Sequence, residues 1–488
     1  MSNQPGNFVA MPHPGQAYAP GRLRRCFVVS RPVLNLACCF VALFLLCNAP
    51  CGAATLKAAV AKVDITPPIG LPMYGFFDRI KEGKVSTGVL DPLYARVLIL
   101  EVGEKRLALV TLDLGRTFNV AGIERLRKTL DRSSGISFLI VNASHTHSGP
   151  NLLDEYPSGQ PPAWELETLN KIVATVREAS GRLVEARLGA GYGSVYVGYN
   201  RRVVGPNGRV TMLWTNPGME PTSPLDPRVS VLRVDDAGGK PLAILVNYAC
   251  HPVVLGADNS KYSADFVGVM ASTVETAFEG APICFFLQGA DGDINPYYAT
   301  TPQKEGATAK RDWTGKRLGE EAARIARTIR TEASSQATID FTDDVINFRL
   351  RWDATTFRNS LLKTFGPRIF EDHAGTLAHD PPPDHLELHV ITLLLSKRIA
   401  FIGMPGEPFV NFQINWRDRC PVADAFFLGY TNGYFDYVPT IDTAAQGGYG
   451  AADSNTYLEV GAGEQMLRRA LVRIYELLGR LKDDPEKD

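Results

Sequence analysis

From Leu56 onward, short apolar runs of strand length alternate with amphipathic stretches of helix length. Such alternation predicts an α/β fold of mixed β-sheets with flanking helices. The runs 97–102 and 107–112, joined by the charged turn Glu104-Lys105, predict a β-hairpin. Further strands are predicted over 138–141, 229–234, 243–248, 283–287, 388–395, 399–402 and 425–429. Apolar positions three and four residues apart predict helices over 120–131, 165–180, 264–278, 313–332, 355–365 and 463–482. The last presents Leu467, Ala470, Leu471, Ile474 and Leu478 on one side, the stripe of a helix docked on a core. No internal repeat interrupts the pattern, so residues 54–488 read as one large domain. Its weakest joints are 216–226 and the Pro381-Pro382-Pro383 segment within 378–384.

The first fifty-odd residues break this rhythm. Arg22, Arg24, Arg25 and Arg31 precede an apolar run over 33–47, and the small residues Gly52, Ala53 and Ala54 follow. Basic stretch, apolar stretch and small-residue exit are the layout of a secretory signal peptide. Residues 1–53 are therefore expected to be removed on export, giving a secreted or periplasmic protein. The competing expectation is an uncleaved membrane anchor, although the run is shorter than the ~20 residues that span a bilayer. Five of the eight cysteines lie in the leader, and Cys250, Cys284 and Cys420 remain in or beside apolar runs, so no disulfide framework is predicted. With 51 basic against 52 acidic residues, no global field would recruit nucleic acid, and membrane contact is not indicated by charge.

Polar residues with chemical potential gather just beyond the strand candidates, where open α/β sheets collect ligands. His145 and His147 follow the run 138–141 in His-Thr-His-Ser-Gly-Pro; His251 follows 243–248; Asp291, Asp293 and Asn295 follow 283–287. Glu407 follows 399–402 in Pro-Gly-Glu, and Tyr434 and Tyr437 follow 425–429. Of seven histidines beyond the leader, three therefore occupy strand exits. The other four, His373, His379, His385 and His389, crowd a proline-rich stretch and read as surface loop, with a second metal site as the minor alternative. Two imidazoles and a carboxylate form an established catalytic zinc set that leaves room for water. Loop or core histidines would satisfy the same pattern without a metal.

These landmarks resemble the neutral/alkaline ceramidase family, zinc amidases that cleave the N-acyl bond of ceramide. They run in order through Asp64-Ile-Thr-Pro-Pro, His145-Thr-His-Ser-Gly-Pro, Asn200-Arg201, His251-Pro, Gly292-Asp-Ile-Asn-Pro296, Pro405-Gly-Glu407 and the tyrosine-rich segment 434–449. The resemblance implies Zn²⁺ held by His145, His251, Glu407 and Tyr437. It also implies His147, Arg201 and Tyr449 around the scissile carbonyl of a small-molecule or lipid-like N-acyl substrate. Tyr434 is an alternative to Tyr437.

This chain departs from the family pattern in two ways. Asn295 stands where ceramidases carry a serine implicated in catalysis, and an amide side chain is no nucleophile. A zinc-activated water is therefore the expected attacking group, with Asn295 orienting water or the carbonyl. Full-length ceramidases also continue into a C-terminal β-sandwich domain, whereas this chain ends after its final helix; a substrate other than ceramide becomes a competing expectation. A zinc-containing protein that binds a ligand without turnover is the rival functional class.

Other chemistries find no support. The segment Asp291-Gly-Asp293-Ile-Asn295 opens like a calcium loop, but Pro296 and Pro302 replace its required glycine and glutamate. Gly189-Ala-Gly191-Tyr-Gly193 lacks the dinucleotide spacing, and neither a Gly-x-Ser-x-Gly elbow nor a His-Glu-x-x-His helix occurs. Asp113, ending the run 107–112, is expected either to support a ligand histidine or to cap the next turn. The aromatics Tyr74, Phe76, Phe77, Tyr297, Tyr298 and Phe435 are candidates for an apolar binding surface.

Overall fold

Runs without polar interruption become strands covered on both faces, as the burial of Tyr94–Val102 and Lys105–Leu112 shows. The computed structural model describes residues 55–156, 158–334, 336–373, 379 and 383–481; the leader expected over 1–53 lies outside them. Eight strands form one sheet in the order Ile283–Gln288, Pro241–Tyr248, Arg228–Asp236, Val184–Ser194, Lys57–Asp64, Tyr94–Val102, Lys105–Leu112, Phe138–Ala143. The first and last neighbouring pairs are parallel, and the pairs between them are antiparallel. A second sheet orders Ile339–Arg349, His385–Leu395, Ile399–Gly403 and Asp424–Leu428, with its last pair parallel.

Side chains alternate across the large sheet with the period of two that pleating imposes. Leu98, Leu100, Leu109, Ile140 and Phe285 meet Ile391, Leu393, Phe401 and Phe426 of the small sheet in a shared core. Val97, Ile99 and Val110 point the other way, against Leu126 and Leu130 of the helix Val120–Ser134 and Ile172 and Val176 of Ala163–Ser180. Helices Phe266–Thr276 and Ala307–Thr328 cover the rest of that face. Phe412 and Trp416 of Val410–Arg419, with Met466, Leu467, Ala470 and Ile474 of Ala462–Leu477, cover the small sheet. The result is a four-layer helix–sheet–sheet–helix sandwich, and no described helix is long and apolar enough to cross a membrane.

All predicted strands are present within a few residues of their expected limits, and the 97–112 hairpin pairs Val102 with Lys105. Three long strands were not expected. Lys57–Asp64 is rich in alanine, and Ile339–Arg349 carries four charged residues spread over both faces. Val184–Ser194 holds three glycines at alternate positions, where side chains would collide with the neighbouring helix segment: a Cβ at Gly191 would lie 2.7 Å from Ile329 Cγ1, and one at Gly189 2.6 Å from the Arg330 carbonyl. These glycines admit a close-packed helix instead of cradling a nucleotide. The helix predicted over 313–332 begins earlier, at Ala307, and ends at Thr328. The helix predicted over 355–365 runs Ala354–His373 across a break at Gly366-Pro367. His385 and His389 are not in a surface loop but in the His385–Leu395 strand, because alternating Leu386, Leu388 and Val390 are buried between them. Part of the loop expected over 378–384 lies outside the described residues.

Candidate metal and catalytic site

The five polar strand exits converge because buried amides bind the carboxyl ends of both sheets together. Asn142 Nδ2 donates to the Gly429 carbonyl at 2.6 Å, and Asn247 Nδ2 donates to the Leu287 and Phe427 carbonyls at 2.8 Å each. Asn432 accepts from Val141 N at 2.7 Å and donates to the Leu139 carbonyl at 2.9 Å. Gln288 Nε2 donates to the Ser144 and Cys250 carbonyls, so the strands that lead to His145 and His251 are bridged immediately before those residues. A fully satisfied buried network of this kind fixes positions closely, since any slip would strand a polar group.

His145, Tyr430, Asn432 and Asp436 all have positive φ, at 67°, 45°, 52° and 52°. Such conformations are unfavourable for residues with side chains and cluster at functional sites. The turn at His145 aims its Nδ1 at the Gly115 carbonyl, 2.6 Å away, and stacks the ring on Tyr430 at a centroid distance of 4.3 Å. His251 Nδ1 likewise lies 2.7 Å from the Asp291 carbonyl. A carbonyl can only accept, so each Nδ1 carries the proton and each Nε2 presents a lone pair.

Those lone pairs face other electron-rich atoms. His145 Nε2 lies 3.1 Å from His147 Nε2 and 3.5 Å from Glu407 Oε1; His251 Nε2 lies 3.2 Å from Glu407 Oε2. His145, His147 and His251 are the group of His, Cys, Asp or Glu side chains among the described residues whose ligand atoms approach closely enough to hold a metal ion, lying within 4.8 Å of one another. Burial pushes the His145 imidazole down to about 4, against the pull of Glu407. Burial, then His145 and His251, hold His147 well below its ordinary range. Burial would raise the Glu407 carboxyl, but His145, His251 and the Tyr434 hydroxyl bring it down to about 2. Neutral imidazoles around a carboxylate, with their outer nitrogens oriented by carbonyls, form a donor set that fits Zn²⁺.

Arg201 lies beside this cage with its guanidinium fixed on three acceptors. Nη2 donates to the Gly292 carbonyl at 2.6 Å and to the Tyr437 hydroxyl at 3.1 Å, and Nη1 donates to Asn295 Oδ1 at 3.2 Å. Asn295 is buried in a short strand, Ile294–Pro296, paired with Gly198–Asn200. Its carbonyl oxygen is engaged by Arg201, which ties it to the guanidinium. Tyr449 packs edge-on to Tyr437 at 5.3 Å. All eight residues singled out in the sequence therefore assemble, and His145, His147, Glu407, Tyr437 and Tyr449 line one cavity of about 70 Å³.

Within the cage it is Tyr434, not Tyr437, that hydrogen-bonds the carboxylate, at 2.6 Å from Glu407 Oε1. Two further contributors, Arg79 and Arg116, escaped sequence reasoning, and Tyr74, expected as apolar surface, takes a polar role. Tyr74 bonds Tyr434 at 3.0 Å; Arg116 sits over the Tyr434 ring and pairs with Asp154. Buried Arg79 donates to the carbonyls of Tyr74, His147, Gly256 and Asn259, fastening the His147 loop. An arginine after the Tyr74-Gly-Phe-Phe77 run was the sole signal for it. Gly75, at φ 110°, packs so tightly that a Cβ would overlap the His147 ring.

Asp113 does not support a histidine: it pairs with buried Arg96 at 2.7 Å and accepts from Tyr94 N at 2.9 Å. Asp293 accepts from Val410 N and Asn200 Nδ2, a structural junction and no calcium loop. Tyr74 and Phe77 line the cavity and Phe76 packs on His147 at 5.1 Å, whereas Tyr297 stacks on Tyr199 and Tyr298 packs edge-on to Trp313, outside its lining. Phe435 lines a separate cavity with His379, His385 and His389. There His379 pairs with Glu155 at 2.8 Å and His389 with Asp343 at 2.7 Å.

Fold and site together define a four-layer α/β protein with a largely buried three-histidine cluster able to hold a metal ion. Residues 57–314, more than half of the chain, match the model of the neutral/alkaline non-lysosomal ceramidase family, N-terminal part, and the chain belongs to that family. Its fold is similar to that of a neutral ceramidase from Pseudomonas aeruginosa, with a TM-score of 0.69 at 19% identity over 88% of this chain and 76% of the other. A ceramidase complexed with C2 gives 0.68 at 18% identity, over 89% and 77%. A search of curated proteins finds no match.

Proposed function

We propose that this chain is an exported zinc-dependent amidohydrolase that cleaves the N-acyl bond of a lipid-like substrate with water. The observation that carries the reading is the cage in which bare imidazole nitrogens of His145 and His251 share the Glu407 carboxylate next to a fixed Arg201. Family membership supports a ceramidase-type reaction. In this proposal His145, His251 and Glu407 hold the metal, with Tyr437 completing the set. Zinc bound there would act as a Lewis acid toward the carbonyl and lower the pKa of water.

The chain's own residues would do the rest. The Arg201 guanidinium, with the partly exposed His147 and Tyr449, would stabilise negative charge developing on the acyl oxygen. Asn295 would hold Arg201 in place. In the Tyr437 hydroxyl, burial and Glu407 oppose ionisation, so this residue would ligate as a phenolate only with a cation beside it.

The test is metal analysis of purified protein followed by a screen of N-acyl substrates of graded chain length. About one zinc per chain with amide turnover is expected. Stoichiometric zinc with no hydrolysis across the series would replace this reading with a ligand-binding protein, and protein without zinc would remove it. Export rests on the leader alone, and mass spectrometry of secreted protein still carrying residues 33–47 would contradict it.

A further inference from the structure

The cavity beside the cage carries polar groups on part of its wall, Arg116, Asp154, Asp436, Asn455 and the hydroxyls of Tyr434 and Tyr457, alongside apolar ones such as Phe77 and Leu152. At about 70 Å³ it admits a small polar moiety and cannot enclose an alkyl chain. An apolar route leaves the site in another direction. Trp214 packs edge-on to Tyr449 at 5.3 Å, and Tyr449 packs edge-on to Tyr437 at 5.3 Å, so three aromatic rings step from solvent to the metal cage. The Arg201 guanidinium lies 5.7, 5.3 and 5.5 Å from the Trp214, Tyr449 and Tyr437 rings.

Trp214 is 48% exposed, yet its backbone is not free to wander. The preceding residue donates from Leu213 N to the Arg201 carbonyl at 2.8 Å, and its own carbonyl accepts from the Tyr199 hydroxyl at 3.0 Å. Before it runs the hairpin Arg202–Val204 with Val210–Met212, whose Val203 and Val204 are also about half exposed, at 45% and 47%. An indole held open to solvent at the end of an aromatic series that leads to the cage offers a fixed ring face to an apolar group.

Building on the amidohydrolase reading, we infer that Trp214 is a specificity-determining residue: it is the platform for the acyl chain, while the polar amine portion enters the Arg116–Asp436 cavity. The acyl carbonyl then falls between the two, at Arg201. The acyl group is accordingly a chain of several methylenes lying along an open aromatic surface, whose affinity rises with chain length until the platform is covered.

The experiment compares wild type, Trp214→Ala and Trp214→Phe in the zinc-loaded full chain, using acetyl, octanoyl and palmitoyl amides of one amino alcohol. Expected for Trp214→Ala is a rise in KM of about tenfold for the octanoyl and palmitoyl amides. The acetyl amide should change less than about twofold, kcat and zinc content should hold, and Trp214→Phe should recover most of the loss. Equal effects on all three amides, or none on any, would overturn the platform while leaving the amidohydrolase reading standing. Absence of turnover by wild type on every amide would instead sink that reading. In that event, quenching of tryptophan fluorescence by octanoyl but not acetyl amide, lost in Trp214→Phe, still tests the platform, and no chain-length dependence there would overturn it.

Discussion

Asn295→Ala separates two ways of running this site. In wild type the Asn295 oxygen is one of three acceptors on the Arg201 guanidinium, and at 3.2 Å it is the longest of the three. Hydrogen bonds to charged groups contribute about 1.5–3 kcal/mol, and the longest of a set belongs at the low end. With Gly292 and Tyr437 still holding Nη2, the expected loss is about 1.5 kcal/mol of transition-state stabilisation, roughly tenfold in kcat. Zinc content should be unchanged, since Asn295 makes no contact with the histidine cage. Glu407→Ala, by contrast, takes away a ligand and the charge that balances the cation, so zinc and activity should vanish together. The assay pairs steady-state hydrolysis of an N-acyl substrate with zinc quantification on the same preparations. If Asn295→Ala is as inactive as Glu407→Ala while retaining full zinc, Asn295 acts in the chemical step itself and the orienting role is wrong.

Three other outcomes follow from the same geometry. His251→Ala should abolish stoichiometric zinc, whereas His379→Ala, which alters an exposed pair with Glu155, should leave it intact; equal zinc in both would displace the ligand assignment. Arg201→Ala should retain zinc and lose ~10²–10³-fold in kcat, the usual loss for an oxyanion donor, and a change confined to KM would move Arg201 to ground-state binding. Gly75→Ala should destabilise the fold by about 1–3 kcal/mol and displace His147, because a φ of 110° and the His147 ring both resist a Cβ. Unchanged denaturation midpoint and activity in that variant would show that the loop yields freely.

Legibility from sequence followed the range of the forces involved. Strands buried on both faces announce themselves as unbroken apolar runs, which is why 97–102, 243–248 and 283–287 were readable; the short charged turn also gave 97–102 its hairpin partner, whereas the partners of 243–248 and 283–287 were not readable. Val184–Ser194 was hidden because its packing requirement is an absence of side chains, and three glycines on one strand resemble a loop until the helix pressed against them is known. Ile339–Arg349 was hidden for the opposite reason: aspartates interrupt the apolar residues on both of its faces, Asp343 on one and Asp340 and Asp344 on the other, and the latter two reach Lys105, Lys397 and Arg473. Of the four later histidines, His385 and His389 were misread because prolines nearby outweighed a two-residue alternation starting at Leu386, whereas His379 is exposed as expected.

The site itself divides along the same line. The residues proposed to hold the metal were legible because each follows an apolar run, and the chemistry of imidazole and carboxylate is restrictive enough to draw distant segments together on paper; Arg201 and Tyr449 came only from the family resemblance. What could not be read is how those exits are held at a common depth. Asn142, Asn247, Asn432 and Gln288 bind backbone carbonyls up to 293 positions away, and nothing local distinguishes such an amide from one capping a turn. Arg79 is the same case for the His147 loop, and Tyr434 for Glu407. These buried partners make the cage possible in physical terms. Three neutral imidazoles facing one carboxylate are stable only if their backbones cannot relax apart, and the surrounding sheets supply that restraint through hydrogen bonds that no pattern of hydrophobicity records.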